Sequence, residues 1–445
     1  MPVRIAAIDR AFLDPSGGQE MITGLYLDLK GSAPPDDVVR ERVRKGMDRF
    51  PALSMTASRR RTHWHIAECD VAAHVRSFPE PGRDPDALTG RLLAVPLPSP
   101  HAPLWDVWVL PSPDGTWYRL CFRAHHGLLD GVGIAHTVVG LLADEPVEGP
   151  YPHRPGRPTV AAGLHLARET GASLRPVRGW EPLSGPGGEE RAWCFGDVAE
   201  ARLRRLADGF GGTVNDVFLG ALSGALRAWS EGCRAVRPRT DLPVSMPMSV
   251  RRAEEAVLPG NRLTFARVWL PTSEEDPRRV MDTVVRATRR LSRTHYRDTA
   301  SPLYTAWGVS RVAAAHLRGA WRRTPVASSH VRLPSAFRCF GAPVTAAARL
   351  PVLGRGLRCF AGLTRVAGTA RFAVVHDVDL PGAGELPELW LRALAGLEAV
   401  APDGAPGRPS APSPHGSPHT SSGPSPAPYD VIAPASAASP RPDHR

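Results

Sequence analysis

The sequence predicts an α/β protein built of two blocks, and three observations carry that prediction. Strand and helix patterns alternate loosely in each block, a proline-dense stretch separates the blocks, and no internal repeat of roughly 20 to 50 residues organises the chain differently. With 445 residues and a hydrophobic content of 42%, the chain can bury a sizeable core, either as two domains or as one large fold made of two halves.

The first block is read as residues 1–145. In it, "WDVWVL" (105–110) and "WYRLCFRAH" (117–125) alternate as strands joined through Asp114-Gly115, a strong hairpin signal. After Gly131 the apolar residues Val132, Ala135, Val138, Val139 and Leu142 recur at helical spacing. The stretch between, "HHGLLDG" (125–131), is therefore a strand-to-helix turn, a common place for functional side chains on a rigid scaffold.

The proline-dense "DEPVEGPYPHRPGRP" (144–158) opens a long connection, read as a Pro/Gly-rich crossover over 146–185. The second block is read as 186–400. Its "TVNDVFLGALSGALRAW" (213–229) places Val214, Val217, Phe218, Ala221, Leu222, Ala225 and Trp229 on one helix face with Thr213 as N-cap. A second helix, "DPRRVMDTVVRATRRL", starts at Asp276 with Pro277 in its first position. Between the two helices, "PVSMPMSV" and "LTFARVWLP" read as strands. The Pro/Ser/His-rich tail, 401–445, has too few large apolar residues to offset its chain entropy and is expected to be disordered.

The formal net charge is +11, and Lys30 and Lys45 are the only lysines, so arginine carries nearly all the basic charge. Codon bias explains that composition as readily as a specific ligand does, and attraction to anionic lipid or to coenzyme A phosphates is compatible with it. No nucleic-acid partner is expected. The six cysteines are scattered without a CxxC pair and no N-terminal apolar segment stands out, which points to a reducing cytoplasm. No run of about 18 apolar residues exists to span a bilayer. The segment "RVAAAHLRGAWRR" (311–323) alternates arginines with Val312, Leu317 and Trp321, as a helix lying on a membrane or lipid droplet would, and a core-packed helix with a basic face gives the same pattern.

Three chemistries suit the two histidines. A metal site needs three protein ligands, but His125 and His126 point to opposite sides of an extended segment, and His63 and His65 have no third ligand near them; no metal is expected. A general base needs one imidazole and gains from an orienting carboxylate, which His126 with Asp130 supplies in kind. The third reading is structural: Asp130 caps the following helix, or pairs with an arginine to hold the turn, and the histidines pack. The chain has no G-x-S-x-G elbow and no G-x-x-x-x-G-K-[ST] or G-x-G-x-x-G loop. A histidine base without a serine nucleophile suits direct transfer from an activated acyl group such as a thioester.

H-H-x-x-x-D-G at 125–131 resembles the signature shared by chloramphenicol acetyltransferase-like enzymes, peptide-synthetase condensation domains and bacterial wax ester synthase/diacylglycerol acyltransferases. "APLWDVWVL" (102–110), with Pro103-Leu104-Trp105, and "GGTVNDVFLGALSGALRAW" (211–229), with Asn215-Asp216, resemble the last group; "IDRAFL", "PMSVRR" and "PGNRLTFARVWLP" fall in the expected order. The resemblance covers most of residues 5 to 400. It implies two similar chloramphenicol acetyltransferase-like halves joined by a long crossover, with a tunnel between them. It further implies that His126 is the base that takes a proton from an acceptor hydroxyl attacking an acyl-CoA carbonyl, acyl-CoA being co-substrate and no cofactor being needed. His125 and Gly131 would shape the turn and Asp130 would hold it. A capping box from Thr213 to Asp216 explains the Asn-Asp pair equally well, and a strand tryptophan such as Trp105 is as readily core as channel wall.

The sequence departs from the family at two places. Where Asn-x-Pro-Gly-Pro is usual, the chain has "SSHVRLP" (328–334), and Thr364-Arg365 stands where Ser-Tyr is usual. The expected product is a wax ester or triacylglycerol. Beside it stand a free-standing condensation-type enzyme using CoA or carrier-protein thioesters, a glycerol-phosphate acyltransferase read from His125-x-x-x-x-Asp130, and a silent acyl-binding relative. The expected location is the cytoplasm, with peripheral contact to the inner membrane face.

Overall fold

The hairpin signalled by Asp114-Gly115 forms as strands Trp105–Pro111 and Trp117–His125, paired antiparallel with Gly115 at φ +67° in the turn. A computed structural model describes residues 3–13, 21–78, 83–99, 101–147, 153, 155–172, 177, 180–184, 188, 190–233, 240–305, 324–351, 353–354 and 357–402. The arginine-rich segment 311–323 and the tail from 403 onward lie outside the described residues.

Two six-stranded sheets dominate. The first runs 338–339, 342–350, 22–30, 117–125, 105–111, 75–77; the second runs 263–270, 242–249, 326–332, 359–366, 369–377, 191–199. Strand Ala342–Leu350 comes from late in the chain yet pairs antiparallel with Ile22–Lys30, so the second block lends a strand to the first sheet. A short sheet of 3–4, 63–66 and 55–57 sits apart from both.

Strand Trp105–Pro111 is buried from Trp105 to Leu110. The reason is that both faces of the first sheet are covered. Leu25, Leu27, Val107, Leu120 and Phe122 cluster with Val39 and Val43 of helix Asp36–Gly46 and with Ile134 and Val138 of helix Gly131–Leu142. On the opposite face Tyr26, Trp108, Cys121 and Ala348 meet Trp193 and Phe195 of the second sheet.

The anticipated helices form as Val214–Gly232, with the Thr213–Asp216 capping box complete, and Pro277–Arg293, capped by Asp276. The crossover differs from a plain linker. It contains helix Val160–Ala172, begun one residue past Pro158 by Thr159, whose hydroxyl accepts from Ala162 N–H at 3.2 Å. Proline density marked the approach to that helix and concealed its start.

Buried charges cross between the sheets. Asp28, on the first, accepts from Arg119 (2.6 and 3.0 Å) and from Arg371 of the second (2.5 Å), and Arg371 also holds Asp197 at 2.7 and 2.6 Å. Removing one partner of a buried ion network strands the other charges. Arg371→Ala is therefore expected to lower unfolding stability by about 3 kcal/mol, read by urea denaturation.

Candidate active site

His125 ends the strand Trp117–His125, His126 opens the turn that follows, and Asp130 N-caps helix Gly131–Leu142 by accepting from Gly133 N–H at 2.7 Å. The turn between them is tied down from several directions. Leu104 carbonyl accepts from His125 N–H at 2.9 Å, and Met21 carbonyl accepts from His126 N–H at 2.6 Å. His125 Nδ1 accepts from Gly127 N–H at 3.1 Å, so this ring shapes the turn; it does not line the cavity described below.

Asp130 does not orient the His126 ring. Its second oxygen accepts from the Arg251 guanidinium at 2.9 Å and from Arg262 N–H at 2.7 Å. Burial opposes ionisation, but Arg251 and the two N–H donors overcome it and hold the carboxyl at about 2. Arg251 also donates to the carbonyls of Glu255, Leu258 and Gly260, which welds the loop 255–262 onto the turn. The direct base-and-carboxylate pair is thus replaced by a cap and an ion pair, one step removed from the imidazole.

The same loop reaches His126 by another route. Asn261 Nδ2 donates to the His126 carbonyl at 2.7 Å and to Asp9 at 2.8 Å, where Asn261 N–H also donates at 2.8 Å. Burial raises the Asp9 carboxyl to about 6 despite these donors. Gly260, at φ +93°, is required twice over: by its backbone and because a Cβ would lie 2.6 Å from Asp9 Oδ2. Phe12, on helix Ala7–Leu13, stacks on the His126 ring at 4.1 Å between centroids. Gly131 has a different constraint, since a Cβ there would stand 3.1 Å from the Arg349 guanidinium.

His126 opens onto a cavity of about 860 Å³ lined from both sheets. Its Nδ1 is buried without a hydrogen-bond partner, which leaves Nε2 as the nitrogen able to meet a molecule in the cavity. Burial pushes the ring's pKa down to about 4, and Arg349 adds to the depression. The ring is therefore neutral at pH 7. Burial likewise lowers His125 to about 4 and cavity-lining His330 to about 3.

Asn215 lines the cavity, its amide 3.6 Å from Met246 Sδ, while Asp216 spends one carboxylate oxygen on Thr213 N–H and Oγ1. Pro103, Leu104 and Trp105 are buried behind the hairpin and do not line the cavity; Trp105 donates from Nε1 to Leu53 carbonyl at 2.8 Å. The divergent stretch does reach the cavity, through Ser328, Ser329, His330 and Val331. Arg365 Nε donates to His330 Nε2 at 2.9 Å and binds Glu200 at 2.8 Å, so the two departures from the family pattern touch each other. Among the described residues no three His, Cys, Asp or Glu side chains gather as metal ligands, and no helix is long and apolar enough to cross a membrane.

The residues that sequence reasoning left without a role are Asp9, Phe12, Arg251, Asn261 and Arg349. Four of them, all but Arg349, stood within the motifs "IDRAFL", "PMSVRR" and "PGNRLTFARVWLP", where order along the chain was the only signal. Asp130→Asn is expected to cost about 3 to 5 kcal/mol in urea unfolding, because Arg251 is left buried without its charge partner. His126→Ala, which leaves no buried charge without its partner, is expected to cost less in the same assay.

Residues 40–183 match the family model of the wax ester synthase/diacylglycerol acyltransferase catalytic domain. A Mycobacterium tuberculosis protein provisionally named a diacylglycerol O-acyltransferase is 30% identical over 252 residues, 47% of this chain and 53% of that protein; a provisionally named Mycobacterium bovis counterpart is 24% identical over 293 residues, 58% and 65% of the two chains. The chain thus spans about half the length of the first curated relative that it matches. Among solved structures, the wax ester synthase/diacylglycerol acyltransferase from Marinobacter aquaeolei VT8 superposes with TM-score 0.65 at 19% identity, over 90% of this chain and all of that one. The first condensation domain of the CDA synthetase gives 0.63 at 18% identity, over 91% and 97%. The chain is thus related to the wax ester synthase/diacylglycerol acyltransferases and has the fold that they share with condensation domains.

Proposed function

We propose that this chain is an O-acyltransferase that moves a fatty acyl group from acyl-CoA to the hydroxyl of a long-chain alcohol or diacylglycerol, with His126 as general base and no further cofactor. The observation that carries this reading is a neutral imidazole opening onto a cavity through one nitrogen, on a turn fixed by buried bonds. The acceptor oxygen attacks the thioester carbonyl carbon, its proton passes to His126 Nε2, and the carbonyl electrons move onto oxygen. Collapse of that intermediate breaks the carbon–sulfur bond, and the departing CoA thiolate takes the proton back from the ring. A cavity of about 860 Å³ holds the reacting parts of both substrates and keeps bulk water from competing. Peripheral contact with a membrane or lipid droplet in the cytoplasm would bring such acceptors within reach.

A condensation-type transfer to an amine or hydroxyl of a smaller metabolite is the second reading. It is favoured by the hydroxyl of Ser329, which is buried without a partner on a residue of the lining, since a purely alkyl acceptor leaves that group unpaired.

Thiol release from a panel of acyl-CoAs, with long-chain alcohols, diacylglycerol and amines as acceptors, tests both readings. Acceptor-dependent release that falls by at least about 10²-fold in His126→Ala supports the proposal, and the acceptor that works names the product class. Release that is equal in both proteins, or absent with every acyl-CoA, refutes it.

The pH profile checks the base. Only the neutral ring accepts a proton, so kcat/KM is lost as pH falls through the ring's pKa. The acid limb is expected near pH 4, well below the position of about 6.5 for an ordinary histidine.

A further inference from the structure

Arg349 is a buried cation without a carboxylate. It is 6% exposed, sits near the end of the crossing strand Ala342–Leu350, and lines the cavity beside His126 and Gly131. Its guanidinium donates to Gly131 carbonyl at 3.2 Å and to Thr23 Oγ1 at 2.8 Å. The nearby carboxylate, Asp130, has its oxygens engaged by Arg251 and by the N–H groups of Gly133 and Arg262, and among the described residues Arg349 forms no ion pair. Two neutral acceptors are poor compensation for a charge removed from water.

We propose that Arg349 is a catalytic residue whose guanidinium binds the oxyanion formed on the acyl carbonyl when the acceptor attacks. This assignment rests on the acyltransfer reading above. In the resting protein the arginine waits with donors to spare; in the intermediate it gains the anion that it lacks, which is the difference between ground and transition state that accelerates a reaction. There is a second benefit. The positive charge of Arg349 weakens His126 as a base, and an oxyanion between them cancels that charge at the moment the ring takes the proton. Two thermodynamic disadvantages, a buried cation and a weakened base, are relieved by one negative atom.

The test uses two ligands of the whole chain in calorimetric titrations. S-octyl-CoA is a thioether without a carbonyl. S-(3,3-difluoro-2-oxooctyl)-CoA hydrates to a gem-diol with the tetrahedral shape of the intermediate, and loss of one of its acidified hydroxyl protons presents an oxyanion. The intact protein is expected to prefer the difluoroketone by about 10²-fold, and Arg349→Gln, which retains donors for Gly131 and Thr23, is expected to lose that preference while binding S-octyl-CoA unchanged. A preference that survives in Arg349→Gln overturns the assignment. If the intact protein binds neither ligand, the acyl-CoA reading fails and takes this proposal with it. Should circular dichroism show that Arg349→Gln is unfolded, Arg349→Ala with added methylguanidinium carries the test: restored turnover supports the role and its absence refutes it.

Discussion

The buried pair between Asp130 and Arg251 is the constraint on which the candidate site depends. One carboxylate caps the helix that leaves the turn and anchors the arginine that gathers the loop 255–262. A lone carboxylate at that depth would protonate or draw in water, and a lone guanidinium would be worse off. Because each charge is balanced by the other, the turn and the loop have one way to meet. Asn261 then arrives in place to bind Asp9 and the His126 carbonyl, and Gly260 N–H donates to the Leu128 carbonyl. The pair's value lies in specifying geometry more than in net stability, since buried ion pairs commonly break even energetically.

Such a scaffold leaves the imidazole free of any carboxylate. A direct carboxylate partner would favour the protonated ring and raise its pKa; here burial and Arg349 act in the other direction. A very weak base is a disadvantage when it must remove a proton from an alcohol, unless its environment changes as the reaction proceeds. The charge arrangement around His126 makes that change possible, because the cation that weakens it faces the same cavity where negative charge would develop.

Local features of the site were legible in the sequence, and supports from afar were not. The Asp114-Gly115 hairpin, the turn at 125–131, the caps at Asp130, Thr213 and Asp276, and the apolar faces of three helices are all written within a few residues of where they act. The partners of the turn come from residue 9, from residues 251 to 262, and from residue 349, and no spacing rule links positions so far apart. The strand exchange hides Arg349 most thoroughly, for nothing in the sequence of strand Ala342–Leu350 signals that it pairs with Ile22–Lys30. Strand Trp105–Pro111 shows the opposite failure. Its alternation is real, but both faces are apolar surroundings, so the pattern located a strand without revealing what covered it.

The second sheet puts another imidazole on the cavity wall. His330 accepts there through Nε2 from Arg365, which is paired with Glu200. An arginine beside an imidazole keeps that ring neutral and fixes its tautomer with the proton on Nδ1. The wall thus carries an oriented polar ring, with Ser328 and Ser329 next to it, Ser329 Oγ being buried without a partner. Hydrogen-bonding groups held rigid in a cavity discriminate strongly against molecules that leave them unpaired, whereas apolar walls discriminate weakly. These rigid groups belong to the second sheet, across the cavity from the turn that holds His126.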